Sequence, residues 1–168
     1  MSPERLWRLS AALRRRGHRR LAFLVKKLNS VIYHNSLPSN VVFSPDIRFG
    51  HHGFGTVIHS NVTIGKRVKI WHNVTIAVRA STGSTQRIII EDDVKIGANS
   101  VIISPAGRSL RIGRGARIGA GAAVAHDVPA GATVISAPVR VLKGNARAGA
   151  GEPSAGEPRA GEPRAGEL

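Results

Sequence analysis

From Ile58 an aliphatic residue returns at every sixth position, through Ile64, Ile70 and Ile76. The pattern resumes at Ile90, Ile96 and Ile102, and again at Ile112, Ile118 and Val124. Four places after eight of these ten stands a small or β-branched residue: Val62, Val68, Val74, Val94, Ser100, Ala116, Ala122 and Val128. A period of six fits neither a helix nor a plain strand, and it restricts the chain to a repeat architecture. A six-residue rung is extended and spans about 20 Å at roughly 3.3 Å per residue. Three rungs close a triangular coil, so residue i stacks on i+18 at about 4.8 Å. Each inward Ile or Val contributes roughly 1.5–3 kcal/mol by burial. Since no coil covers its own end, stability comes from stacking. Gly65, Gly97, Gly113 and Gly119 each follow an aliphatic, where a tight turn favours a residue without Cβ. Read backwards in the same phase, the pattern puts His52 at an inward corner.

Two interruptions break the register. From Ile76 to Ile90 the spacing predicts two rungs plus two residues, with a polar stretch at 79–87. From Ile102 to Ile112 it predicts one rung plus four, around Pro105 and Gly107. Insertions in a solenoid leave the stack on one side and often build the site.

The flanks differ from the repeat. Residues 1–34 read as two basic amphipathic helices. Ser2, Pro3 and Glu4 start the first, and Leu6, Leu9 and Leu13 line its face. After a break at Gly17, Leu21, Leu24, Val25, Leu28 and Ile32 line the second. The pair is expected to cap the open first coil, an exposed sheet edge. A membrane-surface helix or an Arg-rich transit peptide are the other readings. Residues 35–144 form the repeat domain, closed by a last strand over 136–144. Residues 145–168, built on Gly-Glu-Pro-Arg-Ala, have no apolar face and are expected to be disordered.

The net charge is +15. Residues 1–30 hold nine Lys/Arg against one acid, so anionic company is expected: nucleic acid, acidic lipid or a phosphate-bearing molecule. There is no cysteine, which excludes disulfides and thiolate metal sites. No apolar run approaches the ~18 residues of a membrane span, and a cytoplasmic protein is expected.

Hexapeptide rungs, a polar loop between coils and the closing Ser136-Ala-Pro-Val-Arg140 together resemble the left-handed β-helix acyltransferases, in particular the serine acetyltransferase group. The resemblance covers roughly residues 46–144. It implies a mainly β fold, a left-handed parallel β-helix, assembled as a homotrimer. It implies acetyl-CoA as acyl donor, no metal, and O-acetylation of serine or another small hydroxyl acceptor. Within it, His52-Gly-Phe-Gly-Thr-Val-Ile58 matches the family's catalytic segment, which makes His52 the general base. An imidazole titrates near ambient pH and suits removal of a hydroxyl proton, worth roughly 10²–10⁴-fold. Asp46, the nearest upstream acid of the core, is the candidate orienting group.

The resemblance places coenzyme A against the turns Gly97-Ala98 and Gly119-Ala120, with Arg140 and Lys143 toward its phosphates, and Arg114 and Arg117 as weaker candidates. His51, His72, Gln86 and Arg87 are the candidate acceptor-binding residues, His72 being expected to stack above Phe54. Three positions depart from the family pattern. His51 stands where the group has Asp, Gln86-Arg87 where it has Arg-His, and Leu37 at the spacing of its orienting carboxylate. Acetyl transfer survives these departures better than serine does. Two other classes compete: a γ-class carbonic anhydrase, whose close His-x4-His pair is missing here, and a non-enzymatic scaffold whose basic helices dock on nucleic acid or membrane.

Overall fold

Each corner of a six-residue rung interrupts the extended backbone, so the strands are only two or three residues long. In the computed structural model, which describes residues 1–79 and 84–137, the first coil holds β1 (Val42–Phe43), β2 (Arg48–Phe49) and β3 (Val57–Ile58). The second holds β4 (Val62–Ile64), β5 (Lys69–Ile70) and β6 (Thr75–Ala77). The third holds β7 (Ile88–Ile90), β8 (Lys95–Ile96) and β9 (Val101–Ile103), and the fourth β10 (Leu110–Ile112), β11 (Arg117–Ile118) and β12 (Ala123–Val124). A last strand, β13 (Thr133–Val134), begins another turn. Corresponding rungs pair in parallel, giving three faces: β1-β4-β7-β10, β2-β5-β8-β11-β13 and β3-β6-β9-β12. The molecule is a three-sided β-solenoid of about four turns, as the repeat predicts.

Its axis is one column of aliphatics. Ile58, Ile64, Ile70, Ile76, Ile90, Ile96, Ile102, Ile112 and Ile118 are all buried, and the small positions Val62, Val68, Val74, Val94, Ala116 and Ala122 close the spaces between them. Apolar burial of this kind is the main favourable term available to so narrow a fold.

The register explains where extra residues go. Val57 pairs with Thr75, the regular interval of 18. Val62 pairs with Ile88, an interval of 26, so the segment after β6 adds eight residues to one rung rather than two residues to two rungs as the aliphatic spacing predicts. Ile88 pairs with Leu110, an interval of 22, so four residues are added after β9, as predicted. Arg48 pairs with Lys69, an interval of 21, which leaves three extra residues between β2 and β3. They form the 3-10 turn Gly50–Gly53.

The corner glycines correct the sequence reading. Gly65, Gly97, Gly113 and Gly119 do not adopt positive φ. They are required by close approach: a Cβ on Gly97 would lie 2.6 Å from the backbone nitrogen of Ala120, and one on Gly113 2.4 Å from that of Ala130. The left-handed residues come two places later, at Arg67, Asn73, Asp93, Asn99, Gly115, Gly121 and Gly131. Asn, Asp and Gly tolerate that region and Arg does not. Arg67 is held there by its Nε and Nη2, which donate to the two Asp93 carboxylate oxygens at 2.6 and 2.7 Å.

The helices also depart from expectation. The buried face of α1 (Pro3–Arg15) is Leu6, Trp7, Ser10 and Ala11, and Leu9 is exposed. Trp7 joins the core, stacks on Phe43 at 3.9 Å and donates its indole N–H to the Pro38 carbonyl at 2.8 Å. Thus α1 caps the first coil. In α2 (Arg19–Tyr33) the buried residues are Ala22, Asn29 and Tyr33, while the stripe predicted to pack inward faces out.

Residues 138–168, with the predicted closing strand, Arg140, Lys143 and the pentapeptide tail, lie outside the described residues.

Two outcomes are expected. Gly113→Ala should lower the unfolding free energy by about 1–3 kcal/mol through overpacking against the next coil, read from a urea midpoint. The second concerns acid. Hydrogen bonding from Arg67 holds the Asp93 carboxyl below its ordinary value, and Arg111 with the Arg114 backbone N–H does so for Glu91. A carboxyl depressed in the folded state stabilises above its unfolded value and loses that contribution as pH falls through the folded one. The melting temperature should therefore drop as pH falls below about 4, and Arg67→Met should make the drop shallower.

Candidate active site

The three-residue insertion governs the geometry here. If the rung from β2 to β3 had six residues, His52 would occupy a corner. Instead Phe49 takes that place, paired with Ile70, and the surplus is extruded. His52 is therefore exposed on the single chain, not turned inward as the periodicity predicts. The cost appears in the backbone. His51 and His52 both lie in the left-handed region, at φ 49° and 57°. Two successive non-glycine residues in that region are a strain the fold does not need for stacking.

The rings are not isolated. Tyr33, from the end of α2, stacks on His52 with centroids 5.7 Å apart, and Phe54 meets the same ring edge-on at 6.5 Å. His51 sits edge-to-face with His72 at 5.1 Å. His72 shares a coil register with Phe54, whose carbonyl accepts from the Asn73 N–H at 2.6 Å, but its ring partners His51 rather than Phe54. The His72 Nδ1 is buried without a hydrogen-bond partner among the described residues. The turn itself is fixed by close packing. A Cβ on Gly50 would meet Trp71 at 2.8 Å, and one on Gly55 would meet the Asn73 side chain at 1.9 Å.

Trp71 links this turn to a groove. On the second face a depression of about 400 Å³ runs from Trp71 past Gly97 and Ala98 to Gly119 and Ala120, and Lys95 and Arg117 also line it. Of the six residues that the resemblance assigns to the acyl donor, the four on the turns share one groove, and Arg140 and Lys143 lie outside the described residues. Small side chains keep its floor shallow, and its lining is mainly apolar. Two other depressions are as large, one beside Arg14 and Arg15 and one between Ser109 and Asp127. The groove under Trp71 reaches the turn that carries the strained histidines, because Trp71 packs against Gly50.

The cations around it form a column that residue spacing conceals. Arg48, Lys69, Lys95 and Arg117 are successive register partners on the second face, all exposed. Neighbours in such a stack lie about 4.8 Å apart, and none of the four pairs with an acid among the described residues. The Lys69 ammonium sits 4.5 Å from the centre of the Trp71 ring, a cation–π contact. Intervals of 21, 26 and 22 hide the column. The available signal is a base immediately before Phe49, Ile70, Ile96 and Ile118.

Other candidates lie elsewhere. Asp46 sits one corner earlier, between β1 and β2; bonds from Ser44 and the Arg67 backbone hold its carboxyl below the usual value, and no hydrogen bond joins it to His52. Arg114 is drawn toward Asp92 at 3.8 Å, at the corner between the first and second faces. Gln86 and Arg87 stand at the foot of the loop. Asn61 bonds the Gln86 carbonyl at 3.2 Å, Ser109 accepts the Arg87 N–H at 3.1 Å, and the Gln86 Oε1 is buried and unpaired. The structure does not bring them to the His52 turn by any contact. Leu37 belongs to the core, 2% exposed, so no carboxylate occupies that place.

If the turn is strained as its angles indicate, His51→Gly and His52→Gly should each raise the unfolding free energy by about 1 kcal/mol, measured by urea denaturation. A loss would show that ring contacts with His72 and Tyr33 outweigh the backbone cost.

No family model matches the chain. It is 43% identical over 81 residues to 2,3,4,5-tetrahydropyridine-2,6-dicarboxylate N-acetyltransferase from Staphylococcus aureus (strain MRSA252), covering 48% of this chain and 32% of that protein. Among solved structures, soybean serine acetyltransferase complexed with serine superposes with a TM-score of 0.70 at 29% identity, over 82% of this chain and 54% of that one. Neisseria gonorrhoeae serine acetyltransferase in complex with serine gives 0.59 at 30% identity, over 81% and 54%. The chain spans about a third of the curated relative's length and about half of each of these structures. In rung, coil and corner it is a hexapeptide-repeat β-helix of the kind that these acetyltransferases contain.

Proposed function

We propose that this protein is an acetyl-CoA-dependent O-acetyltransferase in which His52 is the general base for a small hydroxyl acceptor. The observation behind the reading is the extruded, strained pair His51-His52 abutting, through Trp71, a groove floored by small residues. The pantetheine arm of acetyl-CoA is narrow, and a shallow groove floored by glycine and alanine suits it. Lys95 and Arg117 flank that path and would meet its phosphates.

The chemistry is short. The His52 imidazole takes the acceptor's hydroxyl proton as the oxygen attacks the thioester carbonyl carbon. Backbone N–H groups at the turn would hold the developing oxyanion. Collapse expels the coenzyme A thiolate, which regains the proton from the imidazolium. Nothing in these steps calls for a metal. On one chain His52 faces solvent, so in this reading a homotrimer's neighbouring copy closes over the second face and excludes water.

The acceptor is argued from what surrounds His52. Leu37 in the core, His51 at the turn and Gln86-Arg87 on the loop replace the charged groups that the serine acetyltransferase resemblance requires for an amino acid. We therefore favour a sugar or another small alcohol over serine. An amine acceptor is the second reading, favoured by the identity to the S. aureus N-acetyltransferase. A screen following thiol release from acetyl-CoA against serine, sugars and small amines separates these.

His52→Ala should lower kcat by about 10²–10⁴-fold with acetyl-CoA binding unchanged by calorimetry; normal turnover would remove the proposed base. Ala120→Trp, which fills the groove, should abolish acetyl-CoA binding while the melting temperature holds. Unaltered binding in that variant would move the donor site elsewhere.

A further inference from the structure

The second helix presents its apolar side to solvent. At about 100° per residue, Leu21, Leu24, Leu28, Val31 and Ile32 fall on one stripe of α2 roughly 100° wide. All five are exposed, Leu24 by 61% and Val31 by 71%. The side packed inward is instead Ala22, Asn29 and Tyr33. An amphipathic helix that buries its small and polar residues and exposes its leucines has an unmet partner. The feature is not a fold defect, because α1 already caps the coil through Trp7.

The charge around the stripe identifies that partner. Arg15, Arg16, Arg19, Arg20 and Lys27 are exposed around the helix junction and along α2. Arg20 and Lys27 border the stripe on the Val31 side, and the Lys27 ammonium lies 5.7 Å from the centre of the exposed Phe23 ring. Between Glu4 and Asp46 the sequence has no acid. A second copy of this face would set these cations against themselves, and an acidic protein groove would leave the whole apolar stripe to be matched. A bilayer with anionic headgroups satisfies both at once: acyl chains take the stripe and headgroups take the cations. No described helix is long and apolar enough to cross a membrane, so α2 would lie in the interface rather than span it. We infer that the outer face of α2 docks this protein on an anionic lipid surface.

The test is flotation of the full-length protein with vesicles of phosphatidylcholine alone and of phosphatidylcholine mixed with phosphatidylglycerol, across a salt series. Sedimentation velocity without lipid runs in parallel. Wild type should float only with the phosphatidylglycerol vesicles and release as salt rises. Arg20→Gln and Lys27→Gln should each weaken binding about fivefold. Leu24→Ser/Val31→Ser should abolish flotation while retaining the wild-type sedimentation coefficient and circular dichroism. If that variant fails to fold, the charge variants and the salt series decide alone. Failure of wild type to float with either vesicle overturns the inference, as does equal flotation with both. A wild-type assembly that the serine variant breaks apart, without lipid binding, assigns the stripe to a second copy and overturns it too.

Discussion

Everything in this molecule depends on one coil lying within backbone hydrogen-bonding distance of the next. Inward aliphatics supply the attraction, and at four corners (Gly65, Gly97, Gly113 and Gly119) the following residue must be glycine for the next coil to approach. A methyl group on Gly97 or Gly113 would occupy the place of the next coil's peptide nitrogen. The same contact explains why the prism has a smooth second face. Where corners are pared to glycine and alanine, as at Gly97-Ala98 and Gly119-Ala120, little side chain stands above the coil. A shallow groove is thus a by-product of the packing rule, edged by Trp71 and by Lys95, Arg117 and Thr133.

Much of the fold was legible because the repeat is redundant. Ten aliphatics agree on one period, and four glycine-bearing corners agree on one turn. Single-copy features were less legible. His52 fell in phase with the corners by arithmetic, yet Phe49 was the better occupant, and a three-residue surplus could be taken up only outside the stack. The loop length after β6 was misjudged for the same reason: spacing counts residues but does not say how many remain in the coil. The cation column on the second face was invisible until the register was known, since 48, 69, 95 and 117 share no constant interval.

The helices show a different limit. An apolar stripe in α2 was evident, and its direction was not. Amphipathicity says that a face must be covered without naming the cover. Here Trp7 of α1 reached Phe43 first, which left α2 to pack through Ala22 and Asn29. Among the candidate site residues, those on the repeat (Gly97, Ala98, Gly119, Ala120) came together, while those placed by analogy with single positions (Asp46, Gln86, Arg87) did not.

The bulge at Gly50–Gly53 has a consequence for how such a chain can change over generations. Its histidines sit in residues the stack does not count, and their backbone opposes folding rather than aiding it. Drift toward sturdier variants would erase this turn before it touched the prism. The rungs, in contrast, are protected by their neighbours above and below. Chemistry and architecture in this protein are therefore free to diverge at different speeds, with the seam between them lying at one corner of the first coil.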